Sequence, residues 1–376
     1  MDRRAFLLVA SAAGLAAALP LRALAQQAVP ATNRRNAVYV DALGALDGFD
    51  QPEPGRYVPN ARLTALIRER RLDLVSITIA PVGTGDNRYR DSVEAIGGYD
   101  SLIEMNPTLL MKVESAADIR AARAAGKLGL IYNFQDTVAL EGDASRVDTF
   151  KQLGLRVLQL TYNKRGLAGD GCLERANAGL SDYGREVIAR INRNNILLDL
   201  SHAGQRTQAE GIAASIAPPA ITHSGCRALM EHPRNTHDAE MRAVAEKGGV
   251  FGVYLMPFLR LGRQPAAGDL LRHLDHAVNV CGEDHVGIGT DNPLLGYELN
   301  DETRRRHRED TAQRLQRGIA APGEDPEIML YVEGYNSDDR YDRIAADLRR
   351  RGWSSARIDK VMGDNFVRLF GEVWGR

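Results

Sequence analysis

Only three cysteines occur in the 376 residues, Cys172, Cys226 and Cys281, and none sits in a CxxC pair. They cannot all pair, which excludes a disulfide framework; Cys226, close after His223, is expected as a buried free thiol. The formal net charge of −1 leaves no broad basic field, so nucleic acid is excluded as a natural partner. Gly83 and Gly85 lack the third glycine of a dinucleotide loop, and no lysine-serine phosphate loop follows, so nothing points to a bound nucleotide. There is no internal repeat or low-complexity tract. What is present is the balance of a globular protein, 44% hydrophobic and 26% charged, at a length suited to one large α/β barrel or two ordinary domains.

Residues 1–25 read as a targeting segment. Arg3 and Arg4 precede Ala5-Phe6-Leu7-Leu8, an apolar stretch runs to Leu21, and Ala23-Leu24-Ala25 offers a small-residue cleavage site. The stretch is too short and alanine-rich for a membrane span. DRRAFLL resembles a twin-arginine export signal, the alternative being an ordinary secretory signal with two basic residues at its start. The expectation is export after folding to a periplasmic or secreted location, with residues 26–36 as a linker and 37–376 as one domain.

Within that domain, short apolar runs alternate with helical periodicity. Strands are expected at Val38–Asp41, Leu72–Ile79, Leu128–Phe134, Arg156–Leu160, Ile196–Leu200, Pro219–Thr222, Val250–Tyr254 and His285–Gly289. Helices are expected between them, for instance Ala116–Ala125, Leu180–Arg193 and Leu270–Val280. Asp47–Asn60 reads as a Pro/Gly loop, and Leu109–Val113 is ambiguous. Eight strands separated by helices is the count of a (β/α)8 barrel, although an open doubly wound sheet also alternates. An insertion over about 294–335 breaks the rhythm, and its Arg304–Arg308 run reads as a solvated charged face.

The segment 196–226 organises the rest. Two strands end beside histidines, in Ser201-His202 and Thr222-His223-Ser224, with a crossover helix between them. Both imidazoles therefore leave the same rim of the sheet, where barrels place their chemistry. Neutral imidazoles on adjacent strand ends make a metal clamp. Other polar strand-end residues are Asp41, Thr78, Gln135, Thr161-Tyr162-Asn163, Tyr254 and Asp291. Asp291 suits a ligand or a proton-transferring base, or else caps the segment that follows at Asn292-Pro293. Arg234, in His232-Pro233-Arg234-Asn235, lies in a loop above the rim and suits a bidentate carboxylate clamp, or else is a surface arginine.

The stretches LGLIYNFQDT, GLRVLQLTYN, LLDLSHAG, PPAITHSGCRAL, HPRNTHD, HVGIGTDN and GDNFVRLF together resemble the membrane (renal-type) dipeptidase family of zinc metallopeptidases. The resemblance implies a distorted (β/α)8 TIM-type barrel with two zinc ions at its C-terminal mouth, dipeptide hydrolysis and, in several members, a homodimer. Carried over, His202 and His223 match the histidine ligands of one zinc, Asp291 the aspartate of the other that moves a proton, and Arg234 the substrate-carboxylate clamp. Asn235 and Tyr254 are taken with Arg234 as substrate-binding.

Three departures follow. The family's first-strand His-x-Asp pair falls on Leu43 and Ala45, its bridging glutamate on Gln135, and a histidine near the substrate carbonyl on Tyr162. Leu43 and Ala45 cannot ligate a metal, and a neutral Gln135 is a weak ligand. The expectation is thus one zinc-type ion on His202, His223 and Gln135, with Asp291 and Tyr162 catalytic, acting on a dipeptide or other small carboxylated amide. The alternative is an altered or inactive barrel that binds small peptides or metal.

Overall fold

The computed structural model describes residues 37–375 apart from 84, 317 and 319. The export signal and linker expected over 1–36 lie outside the described residues. The eight expected strands form: β1 (Val40–Ala45), β2 (Leu74–Thr78), β3 (Leu128–Phe134), β4 (Leu155–Gln159), β5 (Leu197–Asp199), β6 (Ala220–Ser224), β7 (Val250–Val253) and β8 (Val286–Ile288). Each pairs in parallel with the next in chain order, as in Leu74 opposite Gly129 and Val157 opposite Leu197. Beyond β8 the chain swings to β1, where Asn292 and Pro293 pair with Gly44 and Ala45. One run, 286–293, thereby touches β7 with its first half and β1 with its second, drawing the two ends of the sheet together into a distorted barrel.

Strand sequences are nearly continuous in apolar residues because they are covered on both faces. One face packs on the surrounding helices. The other holds Val40, Leu74, Ile131, Val157, Leu197, Ala220 and Val250, in a cluster with Phe366, Phe370 and Trp374 of the C-terminal helix Asn365–Trp374. These aromatics stack in series, Phe366 on Phe370 and Phe370 on Trp374, and close the barrel from the end where the strands begin. Only the opposite mouth is left for chemistry.

Two segments differ from the sequence expectation. Asp47–Asn60 is no open loop, because Phe49–Glu53 and Arg56–Pro59 form an antiparallel hairpin around the turn at Gly55. Its outward residues are polar, so no apolar alternation betrays it. Leu109–Val113 resolves into a strand, Leu110–Lys112, beside the start of β3. The insertion carries a helix, Asp301–Gln316, whose arginine run at 304–308 is indeed mostly exposed, apart from the buried His307 within it.

Glycine is required where β6 is crowded. A Cβ on Gly252 would stand 1.9 Å from the Thr222 carbonyl oxygen, and one on Gly289 2.3 Å from the same atom. A side chain at either position would push on the residue that precedes His223.

Candidate metal centre

His202 and His223 meet edge to face with ring centroids 5.0 Å apart, both fully enclosed. His223 belongs to β6; His202 lies three residues beyond β5, with φ at +60°. Asp291, three residues beyond β8, has φ at +57°. Left-handed backbone at two non-glycine residues facing one point costs energy that the surroundings must offset. For His202, the Cys172 amide donates to its carbonyl at 2.7 Å. For Asp291, its own amide donates to the Leu43 carbonyl at 2.8 Å, while Asp41 accepts from the amide and hydroxyl of Thr290 at 2.7 and 2.6 Å.

The hydrogen bonds fix which nitrogen each histidine presents. Asn163 Oδ1 is 2.7 Å from His202 Nδ1 and, as an acceptor, assigns that nitrogen the proton. Thr222 Oγ1 is 2.8 Å from His223 Nδ1. The Thr222 hydroxyl donates to Asp199 at 2.6 Å, so toward His223 it can only accept. Both Nε2 atoms then carry lone pairs, and both are buried with no hydrogen-bond partner. Orphaned buried acceptors are uncommon in folded chains. Ligand atoms of His202, His223 and Asp291 all lie within 4.8 Å of one another. Two imidazole nitrogens and a carboxylate are a donor set for a zinc-type ion, so these residues fit one metal. Among the described residues this is the group of that kind the chain assembles. The first-strand positions do not fit a second: Leu43 is buried hydrocarbon and Ala45 has no donor.

Burial, followed by the charge of Arg234, holds both imidazoles well below their ordinary pKa and therefore neutral. Burial pushes the Asp291 carboxyl up to about 6, against the pull of Arg234 and Arg314. Gln135, at the end of β3, donates its amide to Thr78 Oγ1 at 2.7 Å, which leaves its carbonyl oxygen as the atom it can offer. Tyr162 stacks on the His202 ring at 4.2 Å, 24° from parallel.

Arg234 is buried, against the His223 carbonyl and 5.6 Å from the Tyr254 ring. The Tyr254 hydroxyl donates to Asn235 Oδ1 at 2.5 Å, and the Asn235 amide reaches the carbonyls of Met230 and Phe258 at 2.8 and 3.0 Å. The polar atoms of Asn235 and Tyr254 are thus committed to each other and to main chain, behind Arg234. A cavity of about 570 Å³ opens alongside, lined by Lys164, Cys172, Pro233 and Glu324 among others.

Two residues escaped the sequence reading. Asn163 stood among the strand-end residues without a role. Arg314, outside the conspicuous 304–308 run, comes from the insertion helix to the edge of the site. It forms a two-pronged pair with Glu324, Nε to Oε2 at 2.7 Å and Nη2 to Oε1 at 2.9 Å. No short-range spacing could have signalled it.

A sequence profile described as membrane dipeptidase (Peptidase family M19) matches residues 67–305. The chain belongs to that family. It is 24% identical over 289 residues to dipeptidase tcpJ of Claviceps purpurea and 23% over 286 to dipeptidase verJ of Clonostachys rogersoniana, covering 76% of this chain in each case. It spans only 60% and 65% of the length of those two relatives. Among solved structures, an amidohydrolase from Pseudomonas aeruginosa superposes with a TM-score of 0.77 at 32% identity, over 90% of this chain and 97% of that one. A metallopeptidase from Rhodobacter sphaeroides, liganded with a phosphinate mimic of the dipeptide L-Ala-D-Ala, gives 0.66 at 21% identity, over 89% and 100%, a likeness of fold. The profile match begins after β1 and stops before Arg314, so the altered first strand and the insertion arginine both fall outside it.

Proposed function

We propose that this chain is an exported hydrolase that holds one zinc-type ion and cleaves the amide of a dipeptide or another small carboxylated amide. The observation that carries the reading is the pair of orphaned Nε2 atoms on His202 and His223, facing Asp291 beneath a buried arginine. His202 and His223 would hold the ion with Asp291 beside them, and the Gln135 side-chain carbonyl oxygen would serve as a further ligand. When bound, the ion supplies Lewis acidity to a carbonyl and acidity to a water.

The remaining chemistry belongs to the side chains. Arg234 grips the substrate carboxylate, and Asn235 and Tyr254 serve the substrate by fixing Arg234. Asp291, whose carboxyl is pushed by burial up to about 6, takes a proton from the attacking water. Tyr162 donates a hydrogen bond from its hydroxyl to the oxygen that gains charge. The dipeptide mimic held by the Rhodobacter relative supports a substrate of that size. Export by the twin-arginine route belongs to the same reading and predicts that replacing Arg3 and Arg4 by lysine strands the protein in the cytoplasm.

The test is metal content per chain after native export and purification without chelator, followed by a dipeptide panel. One ion with turnover supports the reading. Two ions would restore the family's dinuclear mechanism, with ligands from elsewhere than Leu43 and Ala45. A stable metal-free protein that gains nothing from zinc but binds peptides would replace it with the second reading, a binding barrel, which the loss of donors at Leu43 and Ala45 favours.

A further inference from the structure

We propose that the barrel interior holds a sealed cluster of about two waters beneath Gln135, walled by Ser76, Asn133, Gln159 and Thr161. The site stands independently of the hydrolase reading above.

Alternation along the strands puts these residues together. Leu74, Ile131 and Val157 face the inner apolar cluster from the neighbouring strands β2, β3 and β4. The residues two further along, Ser76, Asn133 and Gln159, face the same interior one tier higher, and Thr161 follows two residues after Gln159. None of the four is more than 1% exposed. Above Ser76 and Asn133, again two residues further along, Gln135 Nε2 donates to Thr78 Oγ1 at 2.7 Å. The polar tier thus has a hydrocarbon floor and a hydrogen-bonded roof.

In barrels such tiers are mostly filled by branched hydrocarbon. Further round this one the polar members are satisfied, since Asp199, two residues beyond Leu197, accepts from the amides and hydroxyls of Ser201 and Thr222. On β2 to β4 they are not. Ser76 Oγ, Asn133 Oδ1 and Nδ2, Gln159 Oε1 and Thr161 Oγ1 are buried with no hydrogen-bond partner among the described residues. Turning Gln159 over gives no relief. Its Nε2 donates to the main-chain carbonyls of Gln135 at 2.5 Å and Thr161 at 2.7 Å, which an amide oxygen could not do.

The five atoms select their occupant. A monovalent cation takes only lone pairs and would face the amide protons of Asn133. An anion takes only protons and would face Gln159 Oε1. Flipping the Asn133 amide exchanges its two atoms and leaves the same mixture. Water donates and accepts, and a buried water makes about three hydrogen bonds, so about two waters bonded to each other serve all five. Sealed under the roof, they are not the attacking water. They hold Gln159, whose amide ties the end of β3 at Gln135 to the end of β4 at Thr161, beside Tyr162 and Asn163.

Magnetic relaxation dispersion of water oxygen-17 counts internal waters that outlive molecular tumbling. The full chain carrying Ser76→Ala and Asn133→Leu, which lines the tier with hydrocarbon, is expected to lose about two of those counted in the wild type. An unchanged count would overturn the proposal. Should that variant fail to fold, crystals of the wild type soaked in rubidium chloride decide alone. Solvent peaks within hydrogen-bond distance of both Asn133 and Gln159, without rubidium anomalous signal, are the expected result. Anomalous signal there would replace the waters with a cation, and side chains closed on one another with no density between them would reject any occupant. None of these readouts needs turnover, so a protein that hydrolyses nothing removes the hydrolase reading and leaves the water site decided.

Discussion

Asn163 Oδ1 stands 2.7 Å from His202 Nδ1, and this contact decides which nitrogen of the ring is left for a metal. Partners of this kind orient a ligand and raise its basicity. Asn163→Ala frees the ring and is expected to weaken zinc binding by about 10–100-fold. Calorimetric titration of the metal-free protein measures it, and unchanged affinity would remove Asn163 from the site. The chain offers an internal comparison: His223 has Thr222 and Asp199 behind it, so only His202 loses its support.

Removing a ligand outright is the harsher test. His202→Ala is expected to abolish metal retention after native purification, and turnover with it. A folded, metal-free variant that kept full activity would sink the metal-hydrolase reading.

Arg234 should separate binding from chemistry. Arg234→Ala is expected to raise KM for a free-carboxylate dipeptide far more than for its C-terminal amide, because a buried fork grips carboxylate in two places. Equal effects on the two substrates would dismiss the clamp. Tyr254→Phe strips Asn235 Oδ1 of its donor and is expected to destabilise the fold by about 1–3 kcal/mol, with a milder rise in KM. Denaturant melts alongside kinetics distinguish the two.

Asp41 predicts a pH-dependent stability. Burial pushes its carboxyl up to about 6, against the donors of Thr290, whereas the unfolded chain has the ordinary value of 3.8. The folded protein thus keeps a proton that the unfolded chain has released. This contribution is present at low pH and is lost as pH climbs from about 4 through about 6. The buried imidazoles of His202 and His223 act in the opposite sense, losing stability as pH falls through the unfolded histidine value near 6.5. Comparison with Asp41→Asn isolates the carboxyl. In metal-free protein the wild type should lose about 3 kcal/mol relative to the variant between pH 4 and pH 7, from a shift of about two units. A parallel pair of curves would contradict a raised Asp41.

Much of this molecule can be read along the chain. Apolar runs of strand length separated by helical periodicity place all eight barrel strands to within a few residues, because both properties are local. The histidines are visible for the same reason, since His223 lies at the end of its strand and His202 three residues beyond its own. The hairpin at 49–59 is missed because its strands lack an alternating face, and Arg314 because nothing near it in sequence distinguishes it from its charged neighbours. Asn235 and Tyr254 are grouped with Arg234 from the sequence, but which partners their polar atoms choose depends on segments that meet only in the folded chain.

What the sequence by itself determined is the order of strands and helices, the pair of imidazoles on one rim and the absence of donors at Leu43 and Ala45, all consequences of side-chain chemistry at fixed positions. Only the tertiary structure decided which nitrogen each histidine presents and that Asp291 turns in to meet them. Those outcomes depend on hydrogen bonds and burial between residues far apart in the chain, such as Asp41 with Thr290 and Asn163 with His202, and such contacts exist only once the barrel has brought its parts together.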